Sequence, residues 1–375
     1  MHISHRVINY ISILIINLIS CLFFVKYATR LFHSYQIALI LAILFSIIVI
    51  LLLFKIDSVN IQKLKIDYKR QFFIIVSIIT LAMLILVIAT PDTSQVGRLP
   101  AINEWLANLL SGKFPYNTPA NPSSFPMMFI IALPFYLIGE LGFMEVLGFV
   151  IFAIIVFYYS ITMKDIVMRL FLLLTLPMFY YEILVRSELF FNVVLVILAV
   201  LFTKKYLLQN KINLPFILTA ILYGLLLSTR LIAGIVIAIF ILYFFRSNYR
   251  QMIIFSAICI LSFIATIVPF IIWDTQYFLH KGPFSVQSLY LPKIVILLAP
   301  LVIIFFVKYL RNIRDVFFYI GAVLFVLVAI SFSLHCINYG FYESIFERSS
   351  YFDIGYFIFP IPFFILSINS KLKVN

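Results

Sequence analysis

Almost the whole chain consists of solid blocks of Ile, Leu, Phe and Val separated by short polar segments, and this pattern leaves few folds open. Water does not tolerate it. Of the 375 residues, 65% are hydrophobic and 11% charged, whereas a soluble domain is nearer half apolar and a quarter charged. An apolar solvent accommodates such blocks, and there the backbone must close its own hydrogen bonds, which admits helices or closed barrels. The blocks lack the roughly ten-residue alternation of a barrel strand. The expected fold is therefore all-α, a polytopic transmembrane helical bundle forming a single integral membrane domain over residues 1–375. Cys21, Cys259 and Cys336 are odd in number and scattered, so neither a disulfide framework nor a zinc site is expected.

A span takes about 20 mostly apolar residues. Residues 7–25, 36–54, 72–90, 143–162, 252–272, 316–334 and 351–368 fit that length. Weaker apolar runs at 166–181, 189–203, 214–228, 231–245 and 294–307 bring the expectation to about 12 spans. As one helix, 214–245 would be about 48 Å long, well beyond a bilayer core. It reads better as two helices with Arg230 at the interface. Basic residues set the orientation. If the 55–71 loop with Lys55, Lys63, Lys65, Lys69 and Arg70 is cytoplasmic, the segments bearing Lys164/Arg169, Lys204/Lys205/Lys211, Arg246/Arg250, Lys308/Arg311/Arg314 and Lys371/Lys373 fall inside too. Both termini are then cytoplasmic and most acids lie outside. The solution requires the apolar segment 126–139, read as broken by Pro134, to stay at the outer surface or to dip in and return. The net charge of +13 then reflects topology, with inside lysines held by anionic lipid, and does not call for nucleic acid.

Function is expected on the acidic outer face. Its longest segment is the loop 91–142, with Asp92 directly after a helix, Glu104 and Trp105 on a short amphipathic helix over 99–110, and a turn at Gly112 to Tyr116. Pro119, Pro122, Ser123 and Ser124 follow as loop chemistry. Shorter outer loops at 182–188, 273–291 and 335–350 carry the remaining charge. Glu182, Arg186 and Glu188 cluster in the first of them, and Arg186 pairs with Glu182 or Glu188 on proximity in sequence. Arg230 stands without an acid nearby in sequence. His280 and Lys281 follow Asp274, and Glu347, Arg348, Tyr351 and Asp353 close the series. Ionisable groups at membrane depth are expensive and usually functional. Tyrosines such as Tyr116 and Tyr351 have rings that can stack on a sugar.

The loop 91–142 resembles the first extracytoplasmic loop of the GT-C superfamily, the multi-span glycosyltransferases that use polyprenyl-phosphate-linked sugars. The likeness is to its GPI-mannosyltransferase type and to bacterial surface-polysaccharide relatives. It rests on the acid after a span (Asp92), the second acid in a short helix (Glu104), the turn with Gly112, Pro115 and Tyr116, and the proline-bearing juxtamembrane helix. The resemblance implies inverting transfer of a sugar from a polyprenyl-phosphate donor to a lipid-linked or glycan acceptor, on the outer face of a bacterial inner membrane. An acceptor hydroxyl then needs a carboxylate base, Asp92 first and Glu104 second. The departing phosphate needs a guanidinium or ammonium, Arg230 foremost, with Arg186, Arg348 and Lys281 behind it. Tyr116, Glu182, Glu188, His280, Tyr351 and Asp353 are the expected substrate contacts. Thr93 and Ser94 follow Asp92, so the loop departs from an Asp-x-Asp pair. The resemblance points to no certain cofactor, and a divalent metal stays open. A polysaccharide polymerase, or a lipid-linked sugar flippase or transporter, is the alternative.

Overall fold

The computed structural model describes residues 4–59, 68–91, 98–207, 211–288, 292–347 and 352–369, and these form helices with no strand among them. In chain order the α-helices are α1 (His5–Phe32), α2 (Tyr35–Ser58), α3 (Tyr68–Ala89), α4 (Arg98–Leu110), α5 (Pro126–Ile138), α6 (Phe143–Tyr159) and α7 (Met163–Leu174). Then come α8 (Pro177–Leu184), α9 (Leu189–Leu207), α10 (Leu214–Leu227), α11 (Leu231–Phe244), α12 (Tyr249–Trp273), α13 (Thr275–His280) and α14 (Pro283–Ser288). The chain ends on α15 (Lys293–Val307), α16 (Ile313–Tyr339), α17 (Phe341–Ile345), a 3₁₀ helix (Ile354–Ile358) and α18 (Ile361–Ser367).

Among the described residues, α1, α2, α3, α12 and α16 are long and apolar enough to cross a membrane, and two bent pairs raise the count from 5 to 7. By length and composition the chain is an integral membrane protein. The remaining apolar runs are shorter: α10 and α11 have 14 residues each, about 21 Å of helix. Three expectations need correction. Residues 166–181 are not one helix, because α7 and α8 meet at 61°; Pro177, at the start of α8, cannot continue α7. Residues 354–367 are not one continuous α-helix either: the last helical stretch is a 3₁₀ turn followed by the seven-residue α18. Pro134 does not break α5, which runs through it and ends at Gly139 with φ 89°, a left-handed conformation glycine adopts freely. Beyond Gly139 the chain turns by 114° into α6.

The chain divides into two compact units. The first comprises residues 1–82, 150–182 and 312–375. Its α1 packs on α2 and α18, and α18 also meets α7 and α16. The buried stripe of α2 is Ala38, Ala42, Val49 and Leu53; its other faces leave Ile40, Ile48 and Leu51 exposed, a surface for lipid chains. Arg169 on α7 donates to the carbonyls of Leu366 (3.2 Å) and Ile368 (2.7 Å), and Arg314 on α16 donates to Ser367 O. The last carbonyls of a helix have no partner within it and carry its negative dipole end, so these two guanidiniums cap α18.

The second unit comprises residues 83–149 and 183–311. Here α10 lies closest to α12: a Cβ on Gly224 would stand 2.3 Å from Cys259 O, so only glycine permits the approach. α4 packs on α5.

Candidate functional site

The outer-loop chemistry is built on α4. Its buried residues Leu99, Ile102, Trp105 and Leu106 form one face, as the expected amphipathic helix over 99–110 requires. Gly112, at φ 72°, ends it, and Lys113 N–H donates to Asn108 O at 2.8 Å. The reversed chain brings Tyr116 edge-on against Trp105, and Trp105 stacks on Phe129 of α5 with centroids 4.2 Å apart. Tyr116 is fully buried and its hydroxyl donates to Ser124 O at 3.0 Å; burial pushes that hydroxyl well above its usual range. Buried there, it holds the turn to α5.

The end of the loop is fixed by matching orphan groups. α10 stops at Leu227 and α11 starts at Leu231, which leaves carbonyls at the break, while the first N–H groups of α5 need acceptors. Phe125 N–H therefore donates to Thr229 O, and Met127 N–H to Ser228 O, each at 3.0 Å. Gln287 completes the join: its Oε1 accepts the Leu231 N–H at 2.9 Å, and its amide donates to Ser123 O.

Beneath this join Glu188 and Arg230 form an ion pair with both side chains 2% exposed. Ser124 Oγ donates to the same Glu188 oxygen at 3.0 Å, and Arg230 reaches Ser123 Oγ at 3.2 Å. Burial alone raises a carboxyl pKa, but the guanidiniums of Arg230 and Arg98 and two side-chain hydrogen bonds outweigh it, so Glu188 sits below its usual range. Arg230 is thus not the lone cation its sequence neighbourhood suggests.

Arg186 departs from expectation as well. It pairs with Glu140, a residue distant in sequence, by Nε–Oε1 at 2.7 Å and Nη2–Oε2 at 2.9 Å. The same guanidinium donates to Val87 O and Thr90 O (3.0 Å) at the end of α3. It therefore pins the point from which the chain runs on to Asp92. Asp92, Arg348 and Tyr351 lie outside the described residues.

Glu104 is half-buried on α4 and its Oε2 accepts the Ala120 N–H at 3.4 Å. His280 and Lys281 are exposed at the end of α13. The Lys281 ammonium stands 5.4 Å from the Tyr277 ring, which packs against Phe114 of the loop turn. Glu182 is buried on α8 in the first unit. Asp353, also in the first unit, caps the 3₁₀ helix by accepting the Gly355 N–H at 2.9 Å. Among the described residues no group of three or more His, Cys, Asp or Glu side chains converges as a metal site would.

Ser123, Ser124, Glu140 and Gln287 were not expected. The serines and Glu140 carry a readable signal, since polar residues bordering an apolar juxtamembrane helix are candidates for closing its ends. Gln287 carries none. No family model, no curated protein and no solved structure matches this chain.

Proposed function

We propose that this chain is an inverting membrane glycosyltransferase, moving a sugar from a polyprenyl-phosphate donor to a lipid-linked or glycan acceptor on the extracytoplasmic face. The setting of Glu104 carries the reading. A general base needs a backbone that does not move and a carboxylate that substrate can reach. The next residue, Trp105, is fully buried and stacked on Phe129, while the Glu104 carboxylate itself stays partly open. Lys281, exposed beside Tyr277, is a cation open to a departing phosphate in this unit. Arg230 is already balanced by Glu188, so its part is to hold the loop. Asp92 shares the role of candidate base, since Arg186 fixes the end of α3 two residues before it.

The twelve-span topology belongs to the same proposal. It uses the five long helices, one crossing from each bent pair, and the five short apolar stretches, with both termini cytoplasmic. The 114° turn after α5 favours a segment that does not cross. Exposed Ser111 and Ser58, replaced by cysteine, test this: an impermeant reagent on intact cells labels Ser111→Cys alone. Labelling of Ser58→Cys alone reverses the topology.

The deciding experiment is transfer by the purified protein from a polyprenyl-phosphate sugar, with Glu104→Gln and Asp92→Asn compared. Loss of the base costs at least about 10²-fold in turnover while donor binding survives. If both variants keep full turnover, the loop is not the reacting site and the proposal fails.

A further inference from the structure

Beyond any transfer chemistry, the first unit carries a basic and aromatic cluster at the C-terminal end of α1. Lys26, Arg30 and His33 follow at i, i+4 and i+7, which sets them in one row on a helix. Arg30 and His33 are exposed, whereas Lys26, six residues before the helix ends at Phe32, is only 3% exposed. A cation in the last turn of a helix is accounted for by the helix dipole, and Arg30 fits that description. Lys26 lies a turn further back, where a buried ammonium in a membrane helix is costly and marks function.

What surrounds these cations has the makeup of an anion receptor. Lys26 interacts electrostatically with Arg30, a like charge, and with Asp353. Asp353 also accepts the Gly355 N–H. Tyr27 neighbours both charges: its hydroxyl is in hydrogen-bond contact with Tyr181, and its charge environment includes Arg30 and Asp353. The Arg30 guanidinium lies 5.5 Å from the Tyr27 ring centre, and the Tyr27 and Tyr181 rings are 5.1 Å apart. Phe23 backs both rings at 5.0 and 5.2 Å. Two cations and two phenols thus converge with one carboxylate.

We propose that Lys26, Arg30, Tyr27 and Tyr181 bind the phosphate headgroup of a membrane lipid. A guanidinium takes two phosphate oxygens, an ammonium acts as a point charge on a third, and phenol hydroxyls donate to what remains. The lipid chain has its own surface: Leu14 and Leu18, two to three turns before Lys26 on α1, are exposed on the flank of the helix, about 80–120° round from Lys26. A lipid threaded this way meets apolar side chains along its tail and charge only at its head.

The test uses the purified full chain in detergent, with dihexanoyl phosphatidic acid as probe, dihexanoylglycerol as its phosphate-free counterpart, and inorganic phosphate as competitor. Phosphatidic acid binds and dihexanoylglycerol does not. Arg30→Gln, at an exposed position that folding tolerates, weakens binding at least about tenfold, as does Lys26→Gln. Inorganic phosphate at the probe's concentration does not displace it. Equal affinity in wild type and Arg30→Gln, at unchanged elution volume, overturns the site. Equal binding of dihexanoylglycerol overturns the phosphate chemistry, and displacement by inorganic phosphate overturns the lipid as its source.

Discussion

In the first unit Arg169 and Arg314 aim their guanidiniums at backbone carbonyls, whereas in the second Arg186 and Arg230 are held by the carboxylates of Glu140 and Glu188. The two arrangements carry different risks. A helix end is part of the fold, so a guanidinium capping it keeps its partner whatever single side chain is changed nearby. A carboxylate is one mutation from disappearing, and its loss strands the other charge in a low-dielectric interior. The first arrangement secures the C-terminal helix. The second secures the loop that ends at the α10–α11 break, and with it the helix bearing Glu104.

The largest expected effect follows from that asymmetry. Glu188→Ala leaves Arg230 buried without its counter-charge and lowers stability by about 3–5 kcal/mol. The double replacement Glu188→Met with Arg230→Met removes both charges and recovers most of the loss. Thermal unfolding of the purified protein in detergent measures both. A single variant no worse than the double one would show that water reaches Arg230, and the contrast between the units would collapse.

Neither pairing in the second unit is legible in the sequence. Arg230 and Glu188 are 42 residues apart, and Arg186 and Glu140 are 46 apart, so proximity in sequence does not point to either pair. Local features were legible, because their causes are local. The apolar face of α4 follows from helical periodicity, and the turn at Gly112 from a residue that accepts positive φ. Arg169 carried a signal that counting basic residues for topology passes over. It sits between Met168 and Leu170 on a buried helix face, where a charge must have a partner. The break at Pro177 was likewise visible, but a long apolar run hides it when judged by hydropathy alone. Asp92 and Glu104 were both readable as candidate bases. Which carboxylate has rigid support beneath it depends on Trp105 meeting Phe129, a contact between helices that hydropathy does not encode.

A smaller loss is expected on the other side of the comparison. Arg169→Met removes the donors to Leu366 O and Ile368 O and also the bond to Ser160 Oγ at 2.7 Å. Arg314 still serves Ser367 O, so the end of α18 is only partly uncapped and the cost is about 2 kcal/mol. Protease sensitivity of the C-terminal segment rises before global unfolding changes. If Arg169→Met costs as much as Glu188→Ala, carbonyl capping is no safer than ion pairing.

The smallest test sets two serines against each other. Ser124 is buried and donates to Glu188, while half-buried Ser160 accepts from Arg169, which keeps its two carbonyls. Ser124→Ala removes a donor from a buried anion and costs about 1–2 kcal/mol; Ser160→Ala costs less, since water can take over the Arg169 N–H. The pH dependence separates them further. Glu188 titrates below its usual range in the folded protein, so its contribution is present above the unfolded value of about 4.3 and disappears as pH falls through the folded one. One of the hydrogen bonds holding that value down comes from Ser124. Removing it moves the folded value up towards the unfolded one, so the acid loss still sets in near the unfolded value but is smaller and ends at a higher pH than in the wild type. Unfolding midpoints for Ser124→Ala, recorded from neutral pH to about pH 3, should therefore lie below the wild type at neutral pH and close on it in the acid range. Ser160→Ala, acting on a guanidinium that stays charged throughout, follows the wild-type curve at a constant offset. Parallel curves for Ser124→Ala would mean that Glu188 does not titrate in this window, and that Arg230 alone sets its charge.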